Sequence, residues 1–141
     1  MWTHEHSIDA SVPAERVWPL FTNTGQWPRW NAGVAAIELH GPFADGSTFT
    51  MTLPDGAQLT STLRDVHPNR SFSDETTVDG TLVVVIHSLD PLPGGGTRIR
   101  YATEITGPAA ADIGQAVTAD FPDVLAALKQ LAESGAYRTH E

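Results

Sequence analysis

The sequence predicts an α+β fold: a seven-stranded curved antiparallel sheet, with two short helices and a long C-terminal helix, closing over a cavity. Three observations predict it. The chain opens on one alternating segment, six strand-like segments follow between residues 34 and 106, and the remainder carries one helical apolar stripe. Consecutive strands with short connections make an antiparallel meander. A strongly curved sheet and a single helix do not close flat on each other, so space is expected between them.

Taken in order, the first strand is Trp2 to Asp9. Trp2, His4, His6 and Ile8 share one face, and the opposite face is wholly polar, so the first set is expected inward. A helix follows, with Pro13 at its first position, Glu15 complementing its N-terminus, and Val17, Trp18, Leu20 and Phe21 as its apolar stripe. Asn23, Thr24 and Gly25 stop it. Pro28 limits the next segment, Gln26 to Asn31, to a short helix or turn. The strands are then Val34–His40, Ser47–Leu53, Gln58–Val66, Ser71–Val78, Thr81–Leu89 and Thr97–Thr106. Asp45-Gly46, Asp55-Gly56, Asp79-Gly80 and Gly94-Gly95-Gly96 supply the positive φ angles that tight reversals need. Between Ala109 and Ser134, Ile113, Val117, Phe121, Val124, Leu128 and Leu131 recur at steps of three and four. Pro122 is expected to kink this helix, and Gly135 to cap it.

The 141 residues suit one domain, 1–135, followed by a loose tail, 136–141. Cysteine is absent, which excludes disulfides, thiolate metal sites and cysteine nucleophiles. A formal charge of -9, with Lys129 the only lysine, argues against nucleic acid or anionic membrane as partner. No apolar run approaches the roughly 18 residues of a bilayer span, and residues 1–10 lack the layout of a signal peptide, so a cytoplasmic location is expected.

Several stretches together carry a resemblance. They are Ser11-Val12-Pro13-Ala14-Glu15-Arg16-Val17-Trp18, then Trp27-Pro28-Arg29-Trp30-Asn31, then Gly41-Pro42-Phe43 with Asp45-Gly46. Pro68 to Glu75, and Gly95-Gly96-Thr97-Arg98 running to Gly107-Pro108, complete the set. In order and spacing the chain resembles the START/SRPBCC superfamily, the helix-grip fold, and most closely its polyketide cyclase/dehydrase branch. The resemblance spans nearly the whole chain. It implies a deep pocket under the last helix for an apolar or aromatic small molecule, but the fold alone implies no particular reaction.

Inward polar side chains are the candidates for chemistry. The strand from Thr81 is apolar on both faces, and alternation alone does not choose between them; the family-like pattern favours the face of Val83, Val85, His87 and Leu89. The last strand places Thr97, Ile99, Tyr101, Thr103 and Ile105 inward, with His87 expected about opposite Ile99. His4, His6, His87 and Tyr101 would then converge on one cavity wall. Histidine suits proton transfer near neutrality, and a phenol donates to a carbonyl or an enolate. Asp74 is inward if Phe72 is, and would need Arg64, Thr76 or a histidine as partner; it is a candidate general base. The catalytic candidates are therefore His87, Tyr101 and Asp74. The ligand-contact candidates are His4, His6, Trp30, Phe49, Met51, Leu59 and Leu63, together with Phe72, Val85, Thr103 and Phe121. No metal motif is present and no cofactor is expected.

These features make a binder of a small apolar or aromatic molecule the first expectation. A cofactor-free cyclase or dehydratase acting on a polyketide-like substrate is the alternative, and a chaperone-assisting interaction module is a third. The second apolar face of Leu82 to Ile86 would be covered by a homodimer through the sheet.

Overall fold

The computed structural model describes residues 1–134. The expected cap Gly135 and tail 136–141 lie outside the described residues. In chain order the elements are β1 (Trp2–Ala10), α1 (Ala14–Thr22), a 3-10 helix (Thr24–Arg29), β2 (Ala36–His40), β3 (Thr48–Thr52) and β4 (Gln58–His67). They continue as β5 (Ser71–Val78), β6 (Thr81–Pro91), β7 (Thr97–Thr106), α2 (Ala110–Thr118) and α3 (Phe121–Ser134). One antiparallel sheet has the strand order β1-β7-β6-β5-β4-β3-β2. The sheet and its helical cover form the helix-grip arrangement.

Turn chemistry sets the register. Asp79 and Gly80 both take positive φ, 50° and 78°, the geometry that a two-residue hairpin demands. That turn pairs Phe72 with His87 and Asp74 with Val85. The β6–β7 hairpin closes so that Pro91 faces Thr97. His87 therefore lies directly opposite Tyr101, and Leu89 opposite Ile99, a correction of two residues to the expected pairing. The strands pair as far as Pro91 and Thr97, so the return over residues 92–96 is two residues shorter than the expected pairing needs, and this accounts for the shift. In β4 the ladder is interrupted between Arg64 and His67, where Asp65 takes φ 51°. The Asp45 carboxylate accepts from the backbone N–H of Asp65 and of Val66 at 3.2 and 2.8 Å and holds this bulge. Bulges bend and twist a strand, which helps the sheet curl around its contents.

Alternation sorts the faces as expected. Val83, His87 and Leu89 of β6 are buried, and so are Thr97, Ile99, Tyr101, Thr103 and Ile105 of β7. On the outer face Leu82 stays 41% exposed. Arg98 there pairs with Asp9, and Arg100 with Asp90 and Glu5. Exposed pairs of this kind contribute little each.

One end of the concave face is filled by α1. Val17, Trp18, Leu20 and Phe21 are buried, and Phe21 and Trp18 meet Phe72 edge-on at 5.1 and 6.2 Å. The other end is covered by α2 and α3. The expected single helix is instead broken at Ala119 and Asp120. Pro122 supplies no N–H to the preceding turn and its ring clashes there, while at the start of α3 it is tolerated; Val124 N–H donates to the Asp120 carbonyl and begins the new segment. Gly114 in α2 lets the lid sit close to the sheet, since a Cβ there would fall 2.3 Å from the Trp2 ring. Lys129 straps α3 to β1: its Nζ donates to the Asp9 carbonyl at 2.8 Å and to Glu133 at 3.1 Å.

Gly107 joins β7 to this lid with φ 135°, and a Cβ there would lie 2.9 Å from the Thr81 Cα. Both the backbone angle and the close approach require glycine. Gly107→Ala is expected to cost about 1–3 kcal/mol, read as a lower urea midpoint with an unchanged slope; an unaltered midpoint would refute the constraint.

Candidate functional site

Between the concave face and the lid lies a cavity of about 350 Å³, within the ordinary range for a small-molecule site. Its polar floor comes from three adjacent strands. β5 contributes Asp74, β6 contributes Val85 and His87, and β7 contributes Tyr101. The period of two points all four to the same side. Met51, Leu59 and Trp27 form one apolar flank, and Val117, Phe121 and Val124 the lid. Asn31, Gly33 and the exposed Asp120, which lies between α2 and α3, stand at the mouth.

His87 is held tightly. Its ring stacks on Phe72 at 4.0 Å with planes 7° apart, and Tyr101 meets it edge-on at 4.5 Å. Its Nδ1 lies 3.3 Å from the Phe72 carbonyl oxygen. That carbonyl can only accept, so the neutral ring is assigned its proton at Nδ1, and Nε2 presents a lone pair. Nε2 is 3.8 Å from an Asp74 carboxyl oxygen, too far for a direct hydrogen bond. The Asp74 side chain is only 13% exposed. Tyr101 is 3% exposed, and its hydroxyl is buried with no hydrogen-bond partner among the described residues.

Burial dominates the electrostatics. Desolvation raises Asp74 from its ordinary 3.8 to about 7. It lowers His87 from 6.5 to about 3, against the opposing hydrogen bond to Phe72. The two are therefore close without being an ion pair: at neutral pH the imidazole is uncharged while the carboxyl is near its midpoint. The Tyr101 hydroxyl is held well above its ordinary value by burial, then by the charges of Asp74 and Asp120. Asp120 is raised by desolvation and by Asp123.

The structure places the expected residues unevenly. Asp74, His87 and Tyr101 come together on the floor; Met51, Leu59, Val85 and Phe121 join them on the wall. Phe49, Leu63 and Phe72 face inward but are packed into the core, as is Trp30, whose indole N–H is buried without a partner. Thr103 is buried too, its hydroxyl spent on the Val84 carbonyl at 2.8 Å. His4 and His6 do not reach the cavity. They lie on the expected face of β1, but β1 is an edge strand covered by α2 and α3. His4 is exposed between Trp2 and Phe121, and His6 is half-buried. The expected convergence of both with His87 and Tyr101 is thus corrected. Asp74 meets His87 rather than Arg64, which pairs with Glu75, or Thr76, which bonds Ser61.

Trp27, an aromatic expected near the pocket mouth, lines the cavity, and so do Asn31, Gly33, Val117, Asp120 and Val124, which are not among the expected contacts. For Asp120 a signal existed, since it falls at helical spacing with Val117 and Val124. A larger groove, about 730 Å³, opens between the start of α1 and the β4–β5 and β6–β7 turns. Its lining comes from strand ends, the start of α1 and the two turns, and it includes none of Asp74, His87 and Tyr101. Among the described residues no group of three His, Asp or Glu side chains is placed to hold a metal. No helix there is long and apolar enough to cross a membrane.

Over residues 1–133 the chain matches the family model described as polyketide cyclase / dehydrase and lipid transport. Among curated proteins, none matches it in sequence. Among solved structures, a protein from Mesorhizobium loti is similar with a TM-score of 0.81 at 20% identity, covering 96% of this chain and 100% of that one. Norcoclaurine synthase from Thalictrum flavum, in complex with dopamine and hydroxybenzaldehyde, is similar with a TM-score of 0.75 at 15% identity, covering 97% and 89%. The di-domain ARO/CYC BexL has a TM-score of 0.74 at 20% identity, covering 92% of this chain and 45% of its own length. At these identities the likeness to solved structures shows the fold.

The two buried groups make opposite contributions to stability. Between 3.8 and about 7, folded Asp74 keeps a proton that the unfolded chain releases, so its contribution falls as pH rises. Between about 3 and 6.5, unfolded His87 takes a proton that the folded chain refuses, so its contribution rises with pH. Asp74→Asn removes the first effect alone. The variant is expected to gain on its parent as pH climbs from about 4 to 7, by up to roughly 4 kcal/mol, measured by urea unfolding across that range. A difference that stays constant with pH would defeat this account of Asp74.

Proposed function

We propose, from the premise that this chain belongs to the polyketide cyclase/dehydrase and lipid transport family, that its cavity binds a small aromatic or apolar molecule bearing an oxygen acceptor. The observation that carries this reading is the Tyr101 hydroxyl, buried on the cavity wall with no partner among the described residues. Leaving such a donor unsatisfied costs about 1–3 kcal/mol, which a bound carbonyl or phenol oxygen would recover. Trp27, Phe121, Val85 and Val124 supply the apolar surround. The neighbour solved with dopamine and hydroxybenzaldehyde supports an aromatic ligand in this fold.

An enzyme of cyclase or dehydratase type is the second reading, favoured by the placement of Asp74 near neutrality. In it the Asp74 carboxylate removes a proton from carbon next to a ketone. The C–H electron pair becomes the enolate double bond, and the oxygen that gains charge accepts from Tyr101. The enolate carbon then attacks a second carbonyl of the same substrate, and that oxygen takes the proton back from Asp74. His87, kept neutral by burial, accepts and orients rather than supplying protons.

Two measurements test these readings. Acetonaphthone is expected to bind Tyr101→Phe about five- to tenfold more weakly than the parent protein, from the loss of one hydrogen bond, while ethylnaphthalene binds both alike in calorimetry. Equal affinity of both proteins for the ketone would refute the role of Tyr101. For the enzyme, the methyl protons of bound acetonaphthone are expected to exchange with deuterium by NMR, and Asp74→Asn to stop it; exchange no faster than in buffer would leave binding as the function.

A further inference from the structure

The charged groups of the cavity are one-sided. Asp74 lies on the floor and Asp120 at the mouth, and both act electrostatically on Tyr101 between them. Among the described residues no lysine or arginine lines the cavity. The one basic side chain present, His87, is held uncharged by its burial. A fatty acid or other anion would therefore meet two carboxyl groups and no countercharge. A cation would meet both, together with the aromatic rings of Trp27, Tyr101 and Phe121, whose faces attract ammonium groups. The net charge of -9 favours the approach of a cation as well.

We propose that the cavity selects aromatic ligands carrying an ammonium group, the carboxylates of Asp74 and Asp120 holding the charge. This rests on the small-molecule reading above and specifies its ligand class. The buried Tyr101 hydroxyl is an independent sign that a polar ligand group belongs here. Its oxygen can accept from an ammonium N–H while its O–H donates elsewhere on the ligand.

A pH signature follows. His87 from β6 lies 3.8 Å from Asp74, and Tyr101 from β7 feels the charges of both Asp74 and Asp120. Around neutrality His87 and Tyr101 are uncharged, so Asp74 and Asp120 alone decide the charge of the cavity. With Asp74 at about 7, an ammonium must displace its proton at lower pH, and affinity for the cation should rise through neutrality.

Tryptamine, tryptophol and indolepropionate share one ring and differ in the charge at the end of the side chain. Calorimetry is expected to give tryptamine an affinity about tenfold above tryptophol near pH 8, with indolepropionate weakest. The tryptamine-to-tryptophol ratio should shrink towards one near pH 5.5, and again in the double variant Asp74→Asn, Asp120→Asn. The single rim variant Asp120→Asn, which leaves the floor intact, should lower the ratio partway. If tryptophol binds at least as tightly as tryptamine, or indolepropionate binds best, charge selection is overturned while the cavity reading survives. If the ratio is the same in both variants as in the parent, the cation is bound elsewhere and the proposal is overturned. If none of the three binds, the cavity reading falls and this inference with it.

Discussion

A curved sheet presents more concave surface than the helices laid along it can cover. The aromatic cluster of Phe21, Trp18, Phe43 and Phe72 packs one end beneath α1. At the other end, the lid is divided into α2 and α3 at Ala119 and Asp120, and the space beneath them is not taken up. Close packing is otherwise the rule in protein interiors. Here the geometry of the covering layer decides where it is relaxed, and the chemistry of three adjacent strands decides what faces the gap.

What faces it is a set of groups whose ordinary ionisation is reversed by desolvation. In water Asp74 would be charged at neutral pH and His87 partly so. Inside, the carboxyl holds its proton up to about 7 and the imidazole refuses one down to about 3. The same low polarity that imposes these shifts strengthens any charge–charge contact a ligand brings with it. Stacking against Phe72 and the contact of Nδ1 with its carbonyl keep the His87 ring in one orientation. On the floor His87 and Tyr101 are buried, while Asp120 at the mouth is exposed to water.

Much of the architecture was legible in the residues. Period-two alternation and Asp-Gly turns give the seven strands and their inward faces, because both are local properties of the chain. Asp74 and Tyr101 were identifiable for the same reason; the strand of His87 is apolar on both faces, and there the family resemblance chose the side. The errors arise where information is non-local. The five-residue return between Pro91 and Thr97 shifted the pairing by two, since loop length rather than strand pattern sets it. His4 and His6 sit on the right face of the wrong strand: alternation gives a side of the sheet, but not which part of that side a helix covers. Pro122 signalled a disturbance, yet whether it would bend the helix or divide it depended on packing over the sheet. Asp120 lines the cavity with Ala116, Val117, Phe121 and Val124, which recur at steps of three and four.

The strap from α3 to β1 is a single side chain. Its nitrogen belongs to Lys129, the sole lysine of the sequence, and that nitrogen is bound to the Asp9 carbonyl and to Glu133. Acetylation would cancel its charge and remove donors from both partners at once. Lysine-directed labelling or cross-linking of this protein therefore converges on a single joint, the one fastening the roof of the cavity to the edge strand β1. A reagent chosen merely to tether the molecule to a surface would loosen its lid.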